Sequence, residues 1–199
     1  MKKLLLTGFE PFLDFPVNPT AKIVEQLAGS TLNGYEIAGK ILTVDFSKSG
    51  EQLLAEIADV QPNALISLGL AGGRYKITPE RIAINCNDGE ADNTGHVPNG
   101  EAIFEDGQDG LFSKLPIDKM VQKLTGSGLP AGISNTAGTY LCNNVMYHGL
   151  YHFQKVNLPI PSGFIHIPAS HDLAIKHKGI PSWSDDDLMK AVKICIACL

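Results

Sequence analysis

Apolar and polar positions along the chain form two recurring patterns: short apolar runs, and longer segments with apolar residues at helical spacing. Short runs bounded by Gly, Pro or Asn predict buried strands, whereas apolar residues three and four positions apart predict amphipathic helices. The predicted strands lie at residues 3–7, 35–44, 64–68, 82–85, 131–135 and 163–167. The predicted helices lie at residues 20–27, 47–60, 116–124, 140–153 and 184–197.

This β-α-β-α-β order predicts an α/β fold, with a mainly parallel central sheet and helices on both of its faces. The stretch 87–110 is rich in Gly, Asn and Asp, which predicts a long surface loop or short hairpins. No change of composition marks a linker, so residues 1–199 are predicted to form a single domain. In such sheets ligands bind beyond the carboxyl ends of the strands, which is where catalytic residues are expected.

Charge and hydropathy exclude several functional classes. The formal net charge is −5, and no stripe of Lys and Arg is present to neutralise a nucleic-acid backbone. No segment approaches the roughly 20 apolar residues of a membrane span. The apolar run at the N-terminus stops at Gly8, Glu10 and Pro11, which favours a first strand over a secretory signal and predicts a cytoplasmic protein.

Four cysteines occur in the chain, and a cytoplasmic protein would keep them reduced. Cys195 and Cys198 have the C-x-x-C spacing that redox and zinc sites use. Such a site needs a partner motif or a strand-to-helix turn, and neither accompanies this pair. We interpret both as small apolar residues on the last helix.

Cys142 occupies the most distinctive local environment of the four. It follows a predicted strand and a Gly-containing turn, and lies in the first turn of the next predicted helix. The partial positive charge and free N–H groups of a helix N-terminus stabilise a thiolate, so a lowered thiol pKa is expected there. The same N–H groups could stabilise a developing oxyanion. A buried structural cysteine is the alternative interpretation.

A cysteine nucleophile needs a base, and His166 is the best candidate. His148 and His152 share the helix of Cys142, but lie roughly 9 and 15 Å farther along its axis at 1.5 Å per residue. His166 interrupts an apolar strand that follows the helix, and such a strand often lies beside the one before the helix. Glu80, near another strand end, is the candidate carboxylate that would orient the imidazole. A surface ion pair with Arg81 is the alternative for Glu80.

Two further strand ends carry unusual segments. Phe9 and Phe12 bracket a stiff turn with Gly8 and Pro11, and they either present aromatic faces to a ligand or fill the core. Residues 69–74 form a glycine-rich loop whose N–H groups could meet an anion or a carbonyl. This loop lacks the Gly-Lys-Ser/Thr ending of a P-loop and the dinucleotide-binding fingerprint.

Four segments together resemble pyroglutamyl peptidase I, the pyrrolidone-carboxylate peptidase family of cysteine peptidases. They are GFEPF at 8–12 with Asn-Pro-Thr at 18–20, GLAGGRYKITPERIAIN at 69–85, SNTAGTYLCNNVM at 134–146 and GFIHIP at 163–168. Their order and spacing match the family, and the resemblance covers essentially the whole chain. It implies a single three-layer α/β/α domain, phosphorylase/hydrolase-like, and a cysteine exopeptidase that removes an N-terminal pyroglutamyl residue.

The resemblance also assigns roles to residues. Cys142 matches the nucleophile, His166 the general base, and Glu80 the acid that orients the imidazole. An apolar slot for the pyrrolidone ring is implied, with a polar side chain that shapes it and backbone atoms that meet the lactam. The apolar slot is matched by Phe9, Phe12, Tyr140 and Leu141. The polar side chain is matched by Asn18, and the backbone contact with the lactam by Leu70. The implied partners are pyroglutamyl peptides and further copies of the chain, as a tetramer or dimer, with no cofactor and no metal.

Two segments depart from the family pattern. Residues 88–93 read DGEADN, where family members often carry Asp-Ala-Arg-Ile-Pro-Asp-Asn. This loop is one residue shorter and lacks the Arg, which puts closure of the pocket and catalytic efficiency in question. The C-terminal Cys-Ile-Ala-Cys-Leu is the second departure. Two alternative functions follow, another cysteine amidohydrolase that acts on a small amide, or a binding homologue that has lost activity.

Overall fold

The computed structural model describes all 199 residues and contains twelve strands and six helices. The strands are β1 (Lys2–Phe9), β2 (Thr31–Leu32), β3 (Tyr35–Leu42), β4 (Ala64–Leu70), β5 (Thr78–Pro79), β6 (Ile82–Ile84), β7 (Asn87–Asp88), β8 (Asn99–Glu101), β9 (Gly110–Phe112), β10 (Ser162–Ile167), β11 (Ala169–Ser170) and β12 (Ser182–Trp183). The helices are α1 (Pro19–Leu27), α2 (Ser49–Val60), α3 (Ile117–Gly126), α4 (Leu141–Lys155), α5 (His171–Lys176) and α6 (Asp185–Ile196).

The central sheet has six strands in the order β2-β3-β1-β4-β10-β5. The four inner strands, β3, β1, β4 and β10, are parallel, and the short edge strands β2 and β5 are antiparallel to their neighbours. The carboxyl ends of the four parallel strands therefore meet along one edge of the sheet. That edge carries the candidate site.

Helices cover both faces of the sheet, because successive strand residues point to opposite sides. Leu4 and Leu6 of β1 face a core cluster that includes apolar residues of α1, α3 and α6. Leu5, between them, faces a second cluster formed with α2 and α4. The strands that are buried on both faces read as continuous apolar runs, as is usual in parallel sheets. This arrangement is the three-layer α/β/α fold that the sequence predicts.

Local sequence signals explain where several helices begin. Asn18 caps α1 by accepting a hydrogen bond from the Thr20 N–H, and Pro19 occupies the first turn, where its missing N–H costs nothing. Ser184 caps α6 in the same way, and Asp residues fill the first turn of that helix. By contrast, no side chain caps α4, so the N–H groups at its start remain available to a ligand.

The five predicted helices are present within a few residues of their expected bounds, and so are five of the six predicted strands. The predicted strand at 131–135 is wrong, because the segment forms only isolated bridges, Ile77 with Ala131 and Glu80 with Ser134. The segment also does not lie beside β10 as expected, since β5 pairs with β10 at that edge. Between residues 87 and 101 the loop contains the short antiparallel pair β7–β8. No helix is long and apolar enough to cross a membrane.

Candidate active site

Cys142 lies in the first turn of α4, as the sequence predicts. The preceding turn contains Gly138 at φ 81°, a left-handed conformation that favours glycine. Tyr140 is the N-cap residue and has no side-chain capping bond, which leaves the N–H groups of the first turn, where Cys142 lies, without a capping partner. A forming anion near Cys142 would meet these donors and the positive end of the helix dipole.

The register of β4 and β10 brings His166 close to the thiol. His166 pairs with Gly69 on the neighbouring strand. A Cβ atom built on Gly69 would lie 2.9 Å from Cys142 Sγ, so the sulfur sits directly against this glycine. The thiol and the imidazole therefore adjoin the same backbone position at the carboxyl end of β4. The structure contains no hydrogen bond between the two side chains.

Glu80 and His166 form a buried hydrogen-bonded pair. The distance from His166 Nδ1 to Glu80 Oε1 is 2.7 Å, and the side chains are 7% and 0% exposed. The backbone N–H of Glu80 donates to the carbonyl of Phe164 at 2.9 Å, which fixes the residue against β10. Because an ionised carboxylate only accepts hydrogen bonds, Nδ1 carries the proton and Nε2 is left as a base. The alternative ion pair with Arg81 does not form, since Arg81 donates to Asn135 instead.

Charges and burial set the protonation of this pair. Burial raises the pKa of Glu80, but the hydrogen bond of His166, its charge whenever the ring is protonated, and the side chains of Ser134 and Arg74 outweigh it and hold that pKa below its ordinary value. Burial lowers the pKa of His166, and Arg74 lowers it further, against the opposite effect of Glu80. At neutral pH the pair is therefore a carboxylate beside a neutral imidazole.

The expected low pKa of the Cys142 thiol is wrong for this resting structure. Burial, and then the negative charge of Glu80, raise the pKa of Cys142 to about 12. The positive charge of Arg74 and the residue's own backbone N–H act in the other direction and do not compensate. Desolvation of the thiolate therefore outweighs the helix N-terminus. The resting nucleophile is a neutral thiol, which must lose its proton to a base when it reacts.

An apolar slot leads to the thiol. It is narrow: about 10 Å³ is open to the centre of a water-sized sphere, far less than in a pocket for a drug-sized ligand. Five of the six residues predicted for substrate binding are among its walls, together with Val44, which the sequence did not single out. The slot is lined by Phe9, Phe12, Val44, Leu70, Tyr140, Leu141 and Cys142.

Asn18, the sixth predicted residue, does not line the slot. Its Oδ1 accepts hydrogen bonds from the N–H and hydroxyl groups of Thr20, at 3.1 and 2.8 Å. Its Nδ2 donates to the Glu10 carbonyl at 3.1 Å. Asn18 therefore ties the start of α1 to the turn that carries Phe9 and Phe12, and shapes the slot from behind.

The shortened loop at 88–93 remains anchored beside the slot. The Asp92 carboxylate accepts hydrogen bonds from the N–H groups of Phe46, Thr94 and His96 at 2.9–3.1 Å and from the Thr94 hydroxyl at 2.7 Å. The next side chain, Asn93, donates to Glu10 Oε1 at 2.9 Å. Hydrogen bonds therefore hold this segment in place although it lacks the Arg of the family pattern.

The anchored loop in turn supports Tyr140. The Tyr140 hydroxyl donates to the carbonyl of Ala91 at 3.0 Å. Its ring lies edge-on to Phe46, with ring centroids 5.3 Å apart, and 6.3 Å from the ring of Phe12. These contacts fix one wall of the slot relative to the turn on the opposite side.

Two side chains at the site were missed by sequence reasoning. Arg74 bonds Glu80, and Asn143, next to the nucleophile, is fully buried and donates to the carbonyls of Ile84 and Cys86 at 2.8 and 3.0 Å. Asn143 therefore holds the start of α4 against the segment that follows β6. A buried amide beside a candidate nucleophile was the available signal for Asn143.

The remaining histidine and cysteine candidates lie elsewhere. His148 is inside the α2–α4 interface, where its Nδ1 lies 2.9 Å from the Asn144 carbonyl. Cys195 and Cys198 are buried with the core cluster of α6, and all four cysteines are free thiols. No group of three or more His, Cys, Asp or Glu side chains is arranged to hold a metal ion.

Known proteins resemble this chain along its whole length. The model of the pyroglutamyl peptidase family matches residues 2–199. The pyrrolidone-carboxylate peptidase of Oceanobacillus iheyensis is 59% identical over 100% of both chains. The pyrrolidone-carboxylate peptidase of Halalkalibacterium halodurans is 48% identical, over 97% of this chain and 96% of the relative.

Solved structures agree with this similarity. The pyroglutamyl peptidase I of Bacillus amyloliquefaciens superimposes with a TM-score of 0.95 at 38% identity, over 100% of this chain and 96% of that one. The pyrrolidone carboxyl peptidase of Thermococcus litoralis gives a TM-score of 0.95 at 35% identity, over 98% and 92%. Whole-chain matches in both sequence and structure confirm the resemblance inferred from the four motifs, and the chain belongs to the pyroglutamyl peptidase family.

Proposed function

We propose that the chain is a cysteine exopeptidase that hydrolyses the amide bond after an N-terminal pyroglutamyl residue. The observation that carries this proposal is the position of Cys142, whose thiol lies on the wall of a small apolar slot and against the strand position next to His166. The names of the related enzymes point to the same substrate. Residues 1–199 would act as one catalytic domain.

In the proposed reaction, Cys142 is the nucleophile and His166 moves the proton. His166 Nε2 takes the thiol proton while the sulfur attacks the pyroglutamyl carbonyl carbon, and the carbonyl electrons move to oxygen. When the tetrahedral intermediate collapses, the C–N bond breaks, and His166 gives the proton to the leaving amine. Water then attacks the thioester, loses a proton to His166, and releases pyroglutamate while the sulfur is reprotonated.

Glu80 would assist without transferring a proton. Its hydrogen bond to Nδ1 holds the imidazole in the tautomer that leaves Nε2 free to accept. Its negative charge stabilises the imidazolium that forms during the attack. The uncapped N–H groups at the start of α4 would bind the oxyanion, because Cys142 lies in the same turn.

Specificity would come from the chemistry of the slot. A pyroglutamyl residue ends in a neutral ring, whereas an ordinary peptide begins with a cation. The slot walls are entirely apolar, and no carboxylate is among them. An ammonium group placed there would lose its hydration without gaining a partner, at a cost of several kcal/mol. Backbone groups near Leu70 and the turn before Cys142 would bond the N–H and C=O groups of the lactam.

A fluorogenic assay tests this function. The protein should release one reporter from its pyroglutamyl amide and leave the prolyl and glutaminyl amides nearly intact. Equal rates on all three would overturn the lactam-reading slot and favour a general amidohydrolase. Binding of pyroglutamyl amide without turnover would favour an inactive binding homologue.

Variants of two cysteines test the mechanism. Cys142→Ser should lose nearly all activity while binding is retained, because a hydroxyl is a far weaker nucleophile in the same position. Cys86→Ser is the matched control and should keep activity. Turnover that survives alkylation of Cys142 would exclude the thiol mechanism.

A reducing compartment and self-association complete the proposal. A catalytic thiol must stay reduced, and the structure contains no disulfide, which supports a cytoplasmic location. Family resemblance supports a homo-oligomer, a tetramer or a dimer. Light scattering of the purified protein measures the assembly, and a monomer at assay concentration would contradict it.

A further inference from the structure

Arg74 reaches from the glycine-rich loop back to the buried carboxylate of Glu80. Its Nη1 donates to Glu80 Oε1 at 2.6 Å and to Thr78 Oγ1 at 2.5 Å. Thr78 is the register partner of His166 at the edge of the sheet. The guanidinium therefore joins the loop after β4 to Glu80 and to β5, the strand that pairs with β10 at His166.

Glu80 needs a permanent cation. Its side chain is fully buried, Oε1 accepts hydrogen bonds from both Arg74 and His166, and Oε2 has no partner. A buried carboxylate without a paired charge is strongly disfavoured, and it becomes protonated instead. In the resting site the imidazole is neutral, so it supplies a hydrogen bond but no positive charge. Arg74 forms the salt bridge that remains.

We propose that Arg74 is a positioning residue for the reaction, which keeps Glu80 ionised and aligned with His166 Nδ1 and thereby sets the pH range of activity. This inference rests on the triad proposed above and deepens it. Arg74 would touch neither the substrate nor the thiol in this role; it would bond Glu80, and its charge would act from there on His166 and Cys142.

The direction of the effect follows from the four charged or titratable groups of the cluster. They come from separate elements: Glu80 after β5, His166 on β10, Cys142 on α4 and Arg74 in the loop after β4. In addition to the effects of burial, Arg74 lowers the pKa of Glu80, of His166 and of Cys142. Removing its charge raises all three pKa values. A higher pH is then needed to ionise Glu80, to keep His166 neutral and to form the Cys142 thiolate.

Two controls separate this role from simple support of the loop. Thr78→Val removes the second bond of Arg74 but leaves the charge beside Glu80, so it should not move the pH profile. Arg81→Gln removes a neighbouring cation that bonds only the Asn135 side chain, at 2.8 Å in an exposed position. It should leave both activity and pH profile unchanged.

The experiment measures two pH profiles for wild type, Arg74→Gln, Arg74→Lys and both controls. One is kcat/KM on the pyroglutamyl reporter amide, and the other is the rate of Cys142 alkylation by iodoacetamide, which needs no substrate. Arg74→Gln should lose at least about tenfold in kcat/KM, and the acid limb of its profile should move up by about 1 pH unit or more, the usual effect of one adjacent charge. Arg74→Lys should lie between Arg74→Gln and wild type, because it keeps the charge but not the forked geometry.

Each outcome decides a separate question. An unshifted acid limb for Arg74→Gln, with or without a lower melting temperature, would overturn the role of Arg74 and leave the peptidase function intact. A Lys variant farther from wild type than the Gln variant would also overturn it. A wild-type protein inactive on the pyroglutamyl amide would remove the proposed function, while the alkylation profiles would still test Arg74.

Discussion

Replacing Gly69 with Ala should disable the site while leaving the fold largely intact. The added methyl would lie 2.6 Å from two ring atoms of Phe164 and 2.9 Å from Cys142 Sγ. Carbon atoms pack best at about 3.5–4.0 Å, so a gap of roughly 1 Å has to open. Phe164 is fully buried, so relief of the tighter clash shifts this ring or the backbone of β4, and the Cys142 side chain has to move as well.

The expected magnitudes follow from this geometry. Overpacking of this kind costs about 1–3 kcal/mol of stability. Displacing a reacting atom by about 1 Å costs on the order of 100-fold in turnover. Steady-state kinetics on the pyroglutamyl amide, thermal unfolding and the rate of Cys142 alkylation measure the effect on catalysis, stability and thiol access.

Gly149→Ala is the matched control. Its methyl would meet Leu65 Cδ2 at 2.8 Å, which is the end of a flexible side chain, inside α4 and away from the slot. Any strain there is offset by up to about 1 kcal/mol of helix propensity, and turnover should not change. A Gly69→Ala variant with the turnover of wild type would refute the placement of the thiol against β4.

Three further predictions concern the acid, the slot and the loop. Glu80→Gln should lower kcat by roughly 10²–10⁴-fold with a smaller change in KM, by analogy with other triads; unchanged kcat with a raised KM would contradict an orienting role. Phe12→Ala should reduce kcat/KM for pyroglutamyl amides by about 1–3 kcal/mol, the usual scale for a lost apolar contact, and an unchanged value would remove Phe12 from the slot. Burial raises the pKa of Asp92, but bonds from Thr94 and the backbone outweigh it and hold it below its ordinary value. Asp92 therefore stabilises the fold above about pH 4 and loses this effect as the pH falls through its lowered pKa. The melting temperatures of wild type and Asp92→Asn should differ at pH 7 and converge in acid, and a constant difference would contradict this.

Local patterns in the sequence predicted most of the fold. Strand 163–167 and helix 140–153 were recognisable because their apolar spacing reflects burial that the structure confirms. The segment 131–135 has a similar composition but forms only isolated bridges, since β5 already pairs with the edge of β10. Which segment pairs with the edge of β10 depends on competition between distant parts of the chain, and a local sequence pattern contains no information about that competition.

The same distinction applies to the site. Cys142, His166 and Glu80 were predicted from chain position and from the resemblance, and the structure brings the last two into direct contact. The thiol pKa was predicted in the wrong direction, because the helix terminus is visible in the sequence and the depth of burial is not. Arg74 was missed for a related reason, since its bond to Glu80 depends on how a glycine-rich loop folds back.

The contact between His166 and Glu80 joins residues 86 positions apart in the chain. Contacts of such long range form late, because the entropy of closing a large loop has to be overcome before the contact contributes. A refolding chain will regain helical circular dichroism before it regains turnover. A nascent or partly unfolded copy therefore carries the thiol without an oriented base.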